Sequence, residues 1–323
     1  MSKILAGIDI GGTKCTVSLG RLDGENVVIL EKQQFLTPST PEETLEKFVE
    51  RLRAMLEEKN VELTAIGISC GGPLDSKRGI VLCPPNLPGW INVPVVDYFE
   101  RAFDVPVAVQ NDANAGALAE WMWGAGKGFQ NIIFLTFGTG MGAGLILDGR
   151  LYSGTSDMGG EVGHIRLAED GPIGFGKAGS FEGFCSGGGI ARQATVRAAM
   201  AIRAGKPPAF CPTEADLPEI TARAVAEGAN AGDPLALEIF GAVARRLGQG
   251  LAILIDILNP ERVIIGSIYL RQKTLLDDQM WEVLKQETIP FALDVCQIVP
   301  PGLGESIGDY AAMAVARYRL NSL

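Results

Sequence analysis

The chain has 323 residues, with 28 Lys and Arg against 38 Asp and Glu and a formal net charge of -10. Hydrophobic residues make up 47% and charged residues 20%, which suits about two globular domains and excludes a disordered chain. The acidic balance, with no local block of Lys and Arg, excludes a broad basic face for nucleic acid.

The opening MSKILAGIDIGG leads straight into a strand-like segment and lacks the long apolar stretch and cleavage site of a secretory leader. The longest apolar run, LAILIDIL at 251–258, carries Asp256 and is too short to span a bilayer. Six cysteines are scattered without a CxxC pair, the pattern of free thiols in a reducing cytoplasm.

In chain order, GIDIGGTKCTVSLGRLDG from Gly7 reads as a strand, a Gly/Thr turn and a second strand, closed by an Asp-Gly turn. Thr40, Pro41 and Glu43 supply an N-cap, a first-turn proline and a capping-box acid. They open a helix over 40–59 with Leu45, Phe48, Val49, Leu52 and Leu56 on one face. LTAIGISCGG (63–72) and VPVAVQND (105–112) read as short buried strands. LTFGTGMGAGLILDG, from Leu135, then repeats the opening plan. The segment 233–261 reads as one long helix or two abutting ones, followed by the strand RVIIG and a terminal helix at GDYAAMAVARYRL. Alternating strands and helices predict an α/β protein with mixed or parallel sheets, duplicated around a cleft. The expected division is 1–118, 119–304 and a final helix, 305–323, that returns to the first domain.

Glycine-rich turns let backbone N–H groups approach an anion. Two nucleotide motifs nearly match and fail. Thr13 precedes Lys14, the reverse of a P-loop, and CTVSLG continues as a strand where a helix is needed. Gly138, Gly140 and Ala143 approximate a dinucleotide fingerprint, but GLILDG is again a strand. What remains is a Gly/Thr turn occurring twice, either a pair of phosphate loops or two ordinary hairpins, with Asp9 just ahead of the first. Asp112 follows a strand and opens a helix, so it is either an N-cap or a general base at a strand's carboxyl end. His164, the only histidine, is either a loop residue or a ligand contact. Asn86 is either a turn residue or a ligand contact, and Trp90 reads as simple packing.

Taken together, GIDIGGTK, NLPGW, NDANAGALAE, FGTGMGAGLILDGRL, GGEVGH and LNPERVIIG occur in the order found in the ROK family, which the chain resembles over nearly its whole length. That family contains bacterial sugar kinases and sugar-responsive repressors on the actin/hexokinase-like, ribonuclease H-like ATPase fold. The resemblance implies ATP and Mg²⁺ as cofactors. Asp9 is implied to organise the Mg²⁺-bound phosphates, with Gly11, Gly12, Thr13 and Lys14 as the first phosphate loop and Gly138, Thr139 and Gly140 as the second. Gly266 is implied to lie near the adenosine. Asn86, Asn111, Asp112, Glu161, His164 and Glu182 are implied to hold the sugar hydroxyls, with Asp112 as general base for in-line attack on the γ-phosphate. Glucose is the leading sugar; the alternatives are fructose, mannose, allose, N-acetylmannosamine or N-acetylglucosamine, or a non-catalytic sugar sensor. The family's repressors carry an amino-terminal helix-turn-helix, whereas this chain opens on the first loop strand, which favours the kinase. A dimer or tetramer is implied, with no nucleic-acid or membrane partner.

One departure stands out. The family's loop C-G-C-G-x-x-G-C-x-E holds a structural zinc with the upstream histidine. Here it reads IGFGKAGSFE, with Ile173, Phe175 and Ser180 at the cysteine positions. His164 alone cannot complete a zinc site. The expectation is a metal-free loop packed through Ile173, Phe175, Phe181 and Phe184. A second departure is Ser267, where many family members have glycine.

Overall fold

In a computed structural model that describes residues 3–322, the first Gly/Thr turn joins two antiparallel strands, β1 (Ile4–Ile10) and β2 (Lys14–Asp23). Strand β3 (Asn26–Leu36) pairs antiparallel with β2. Helix α1 (Pro41–Lys59) begins as its sequence dictates: Thr40 accepts the Glu43 N–H at 3.3 Å and Pro41 occupies the first turn. The capping box is not closed, because the Glu43 carboxylate takes the Ser39 hydroxyl instead. Leu45, Phe48 and Leu52 are buried, Met55 completes the stripe, and Val49 and Leu56 flank it. Asn60, in the left-handed region, ends the helix.

Strand β4 (Ala65–Cys70) runs parallel to β1. A small hairpin follows, β5 (Leu74–Asp75) and β6 (Ile80–Val81). After α2 (Val95–Phe103), β7 (Val107–Asn111) joins parallel to β4 and runs directly into α3 (Asp112–Trp123). The result is a mixed sheet, β3-β2-β1-β4-β7. One of its faces packs on α1 and α2 through an edge-to-face series of Phe35, Phe48 and Phe99. Each such fully buried side chain contributes about 1.5–3 kcal/mol. The chain's last helix, Ile307–Asn321, covers β1 and β4. Gly67 permits this, since a Cβ there would lie 1.9 Å from the Ala312 carbonyl oxygen.

The second Gly/Thr turn lies between β8 (Ile132–Phe137) and β9 (Met141–Leu147), with β10 (Arg150–Tyr152) antiparallel to β9. Two compact units share this hairpin along the chain. The first unit is Met1–Phe134, Gly144–Gly159 and Pro301–Leu323; the second is Leu135–Ala143 and Gly160–Pro300. Within the first unit, Asp157 accepts the Ser76 N–H at 2.7 Å and its hydroxyl at 2.8 Å. The fully buried Glu120 of α3 accepts three backbone N–H groups, from Ala125, Gly302 and Leu303, at 2.7–3.0 Å, which offsets the cost of burying its charge.

The second unit adds the two-stranded β11 (Ile173–Gly174) and β12 (Lys177–Ala178), then α4 (Phe181–Cys185), α5 (Gly187–Arg203) and α6 (Ala222–Asn230). The segment read as one helix or two is a single 25-residue helix, α7 (Pro234–Leu258), capped by Asp233 and closed by a left-handed Asn259. Its buried stripe includes Ile239, Phe240, Val243, Leu247 and Leu251. Strand β13 (Arg262–Ile265) leads to α8 (Ile268–Glu287), α9 (Pro290–Val295) and β14 (Gln297–Val299), and the last helix becomes α10. The second sheet reads β10-β9-β8-β13-β14, the same order of roles as the first. Among the described residues, no helix is long and apolar enough to cross a membrane.

Candidate functional site

In the first unit, the carboxyl ends of the parallel strands β1, β4 and β7 carry the polar residues, where α/β folds place ligands. Asp9, one residue from the end of β1, is in register with Thr16 on β2 and Ser69 on β4. Desolvation, then the charge of Asp112, pushes its carboxyl pKa up to about 6, against the Ser69 hydroxyl bond and Lys32. Asp112 is exposed, and desolvation by the protein around its carboxyl raises its pKa against the pull of the Ala113 N–H at 2.9 Å.

The structure removes the capping reading of Asp112. Asn111 is the N-cap of α3, its side-chain oxygen accepting the Asn114 N–H at 2.7 Å. Asp112 is therefore the first helical residue, and its carboxylate is not the cap.

Gly11, Gly12 and Thr13 form the turn itself. The Thr37 hydroxyl donates to the Gly11 carbonyl at 2.6 Å and holds it from the neighbouring strand. Gly12 lies against the backbone of Asn86, where a Cβ would come 2.3 Å from the Asn86 carbonyl oxygen. The Asn86 amide in turn stands 3.2–3.4 Å from the Cβ position of Gly71, just past β4. Asn86 is thus brought onto both loops, with its residue exposed. Lys14 is exposed at the start of β2. Trp90 is only 2% exposed and belongs to the core.

In the second unit, Gly138, Thr139 and Gly140 join β8 to β9. Thr136 closes the base of the turn, accepting the Gly142 N–H at 2.9 Å through its hydroxyl. Glu182, in the first turn of α4, accepts the Met141 N–H at 3.1 Å and lies 3.2 Å from the Cβ position of Gly140. The Gly187 and Gly188 N–H groups at the start of α5 donate to the Gly138 and Thr139 carbonyls, at 2.7 and 3.3 Å. Beside this turn opens a pocket of about 960 Å³ lined by Gly138, Thr139, Gly187, Gly188, Ser267 and Arg271 among others. Gly266 stands just behind its wall, its N–H bonded to the Leu135 carbonyl at 3.0 Å. The residue that faces the pocket is Ser267, held at φ 50°, ψ -105°. Gly187 and Gly188 were not singled out from sequence, whereas Ser267 was marked only as a departure from glycine. The SGGG run at 186–189 ahead of an apolar-periodic segment was the available signal.

Glu161 precedes the single helical turn Val162–His164 and is exposed. The His164 ring meets Phe175 edge-on, with centroids 5.1 Å apart. The residues do not fit a structural zinc: at the positions of the loop only His164 offers a donor of the right kind, and Ile173 and Phe175 offer none. Ser180 is committed, accepting the Gly183 N–H at 3.1 Å as the α4 N-cap. Among the described residues, no three His, Cys, Asp or Glu side chains gather into a metal set. The packing expected of the loop needs correction. Phe181 and Phe184 are buried, but Phe175, in the two-residue turn at the hairpin tip, is 71% exposed, and Ile173, paired with Ala178 at the hairpin's other end, is 56% exposed.

Two sheets of one plan, each with a Gly/Thr turn between its first two strands, define the actin/hexokinase-like class of α/β fold. Within that class the chain belongs to the ROK family, whose profile matches residues 5–318. It is 32% identical over 324 residues to a glucokinase of Streptomyces coelicolor, covering 96% of each chain. A ROK family glucokinase from Streptomyces griseus, solved with glucose and AMPPNP, is 32% identical with a TM-score of 0.74, over 98% of this chain and 99% of that one. A ROK family transcriptional regulator, homolog of the E. coli MLC protein, superposes with a TM-score of 0.86 at 26% identity, over 99% of this chain and 79% of that one.

Proposed function

We propose that the chain is an ATP-dependent sugar kinase that phosphorylates a hexose, with glucose as the leading substrate. The observation that carries most weight is the aspartate pair at the ends of β1 and β7. Both carboxyls have raised pKa values, and Asp9 is raised in part by the charge of Asp112. Two desolvated, mutually repelling carboxylates suit a site completed by a cation. Asp9 is the residue to hold Mg²⁺ arriving with the nucleotide, and Mg²⁺ when bound neutralises phosphate charge. Gly11, Gly12, Thr13 and Lys14 serve as the first phosphate loop and Gly138, Thr139 and Gly140 as the second. The pocket faced by Ser267, with Gly266 behind it, takes the adenosine.

Asp112, spared from capping by Asn111, accepts the proton of the attacking hydroxyl. A base must be ionised to act, and the raised pKa brings its affinity for a proton nearer to working pH. Asn86, Asn111, Glu161, His164 and Glu182 hydrogen-bond the sugar hydroxyls. Carboxylates and amides suit a polyol, because an analogue lacking a hydroxyl strands their buried polar atoms. The match to glucokinases over 96% or more of each chain supports this reading.

The test is ADP release from Mg-ATP across glucose, fructose, mannose, allose and the N-acetylated hexosamines. We expect one hexose to drive release, and Asp112→Asn to lower kcat by about 10²–10⁴-fold. The acid limb of kcat/KM should lie above the ordinary aspartate value near pH 4, with activity lost as pH falls through it. A second reading, a sugar sensor without turnover, draws on the close superposition with the regulator. Sugar binding with no ADP release from any member of the panel would select it.

A further inference from the structure

The loop that does not fit zinc is held by other means. Between Val162–His164 and α4, strands β11 and β12 form a hairpin whose two turn residues, Phe175 and Gly176, have φ of 44° and 76°. Positive φ at both positions is the signature of the tight I′ turn, where Asn-Gly is favoured and a bulky aromatic is costly. Nothing in the turn's own geometry calls for phenylalanine. What it gains is a partner: its ring meets the His164 imidazole edge-on at 5.1 Å. On the other side of Gly176, Lys177 Nζ donates to the His164 carbonyl oxygen at 2.6 Å. One short hairpin therefore grips the same residue twice, by ring and by backbone.

The surrounding loop follows the same chemistry. Arg166 donates to the Ala178 and Glu169 carbonyls at 3.0 and 3.2 Å, and Arg192 to the Ile173 carbonyl at 2.8 Å. Charged donors make the stronger class of hydrogen bond. Where a zinc would tie side chains together, here cationic side chains tie backbone carbonyls.

We infer that Phe175 and Lys177 are positioning residues that set His164 for the acceptor sugar in a loop that needs no metal. The inference rests on the reading of His164 as a sugar contact. The sole histidine also gives it a readout independent of activity, since a selectively labelled protein yields one imidazole signal.

Phe175→Asn puts the favoured Asn-Gly pair into the turn, so the hairpin should fold at least as well while the ring contact is lost. We expect its Tm to hold, the imidazole resonance to move, and the KM for sugar to rise about tenfold with the KM for ATP unchanged. Lys177→Met should raise the sugar KM in the same way, and Lys177→Arg should restore it. Prior treatment with a chelator, followed by Mg²⁺, should leave sugar KM where it was. An unmoved imidazole signal in Phe175→Asn, an unchanged sugar KM in both variants, equal rises in the KM of sugar and ATP, or stoichiometric zinc would each overturn the inference. If the wild-type protein turns over no sugar, the kinase reading fails, while the resonance still decides whether the hairpin holds His164.

Discussion

The two Gly/Thr hairpins share a backbone plan and differ in what they do with it. Two residues before the first turn stands Asp9, desolvated and raised toward pH 6; at the same place before the second stands Thr136, its hydroxyl spent on the Gly142 N–H. The first turn is braced by neighbouring loop residues, the Thr37 hydroxyl on the Gly11 carbonyl and the Asn86 carbonyl pressed on Gly12. The second is braced by side chain and helix, through Glu182 and the start of α5. The far turns differ as well. Asp148 and Gly149 both take positive φ, whereas in the first copy only Gly24 does, and the β2/β3 register shifts at Leu19/Gly20. Duplication has kept the strand order and divided the chemistry: the first copy carries its carboxylate on its own strand, and the second meets one from Glu182 of α4.

Removing the charge should show this most clearly. Without Mg²⁺, Asp9→Asn should raise stability at pH 8 by about 2 kcal/mol, discounted from the full shift for its partial exposure. The sign follows from the raised pKa. The folded state binds the proton more tightly, so the wild-type protein loses stability as pH rises from about 4 through about 6. The gain on substitution should therefore vanish below about pH 4, which thermal melts at pH 4 and pH 8 would check. Equal gains at both would refute the assignment.

Glycine-to-alanine changes at matched places sharpen the contrast. Gly12→Ala meets a backbone oxygen at 2.3 Å, whereas Gly140→Ala meets the end of the Glu182 side chain at 3.2 Å. We expect the first to cost about 1–3 kcal/mol and the second clearly less, in denaturant titrations of the two variants side by side. The smallest effect belongs to Ser267, whose φ of 50° with ψ of -105° is a conformation suited to glycine. Ser267→Gly should raise stability by up to about 1 kcal/mol and alter the KM for ATP more than that for sugar.

Much of the fold was legible because local rules suffice for it. Thr40, Pro41 and the apolar stripe fixed α1 almost to the residue, and both hairpins followed from alternation and Asp-Gly turns. The boundary is another matter. Residue 118, where the sequence reading changes domain, lies inside α3, because an alanine-rich helix start offers no break while the units in fact divide within β8 and β9. In the candidate site the sequence offered candidates but not their alliances. That Asn111 rather than Asp112 caps α3 depends on one residue of helix phase. That Lys177 reaches His164 could not be read, since its acceptor is a backbone carbonyl, which every residue has. Phe175 looked like packing by its apolar character; its exposure follows from a turn conformation that composition does not encode.

The division of the chain has a practical consequence. The polypeptide passes between units four times, at 134/135, 143/144, 159/160 and 300/301, so neither unit is a contiguous piece. Neither can be cut out by choosing two end points, and a chimera with a relative must exchange three segments for the first unit or two for the second. At the last passage Glu120 gathers Gly302 and Leu303 by their amides. One carboxylate on α3 thus moors the returning end of the chain just ahead of the helix that covers the first unit's sheet.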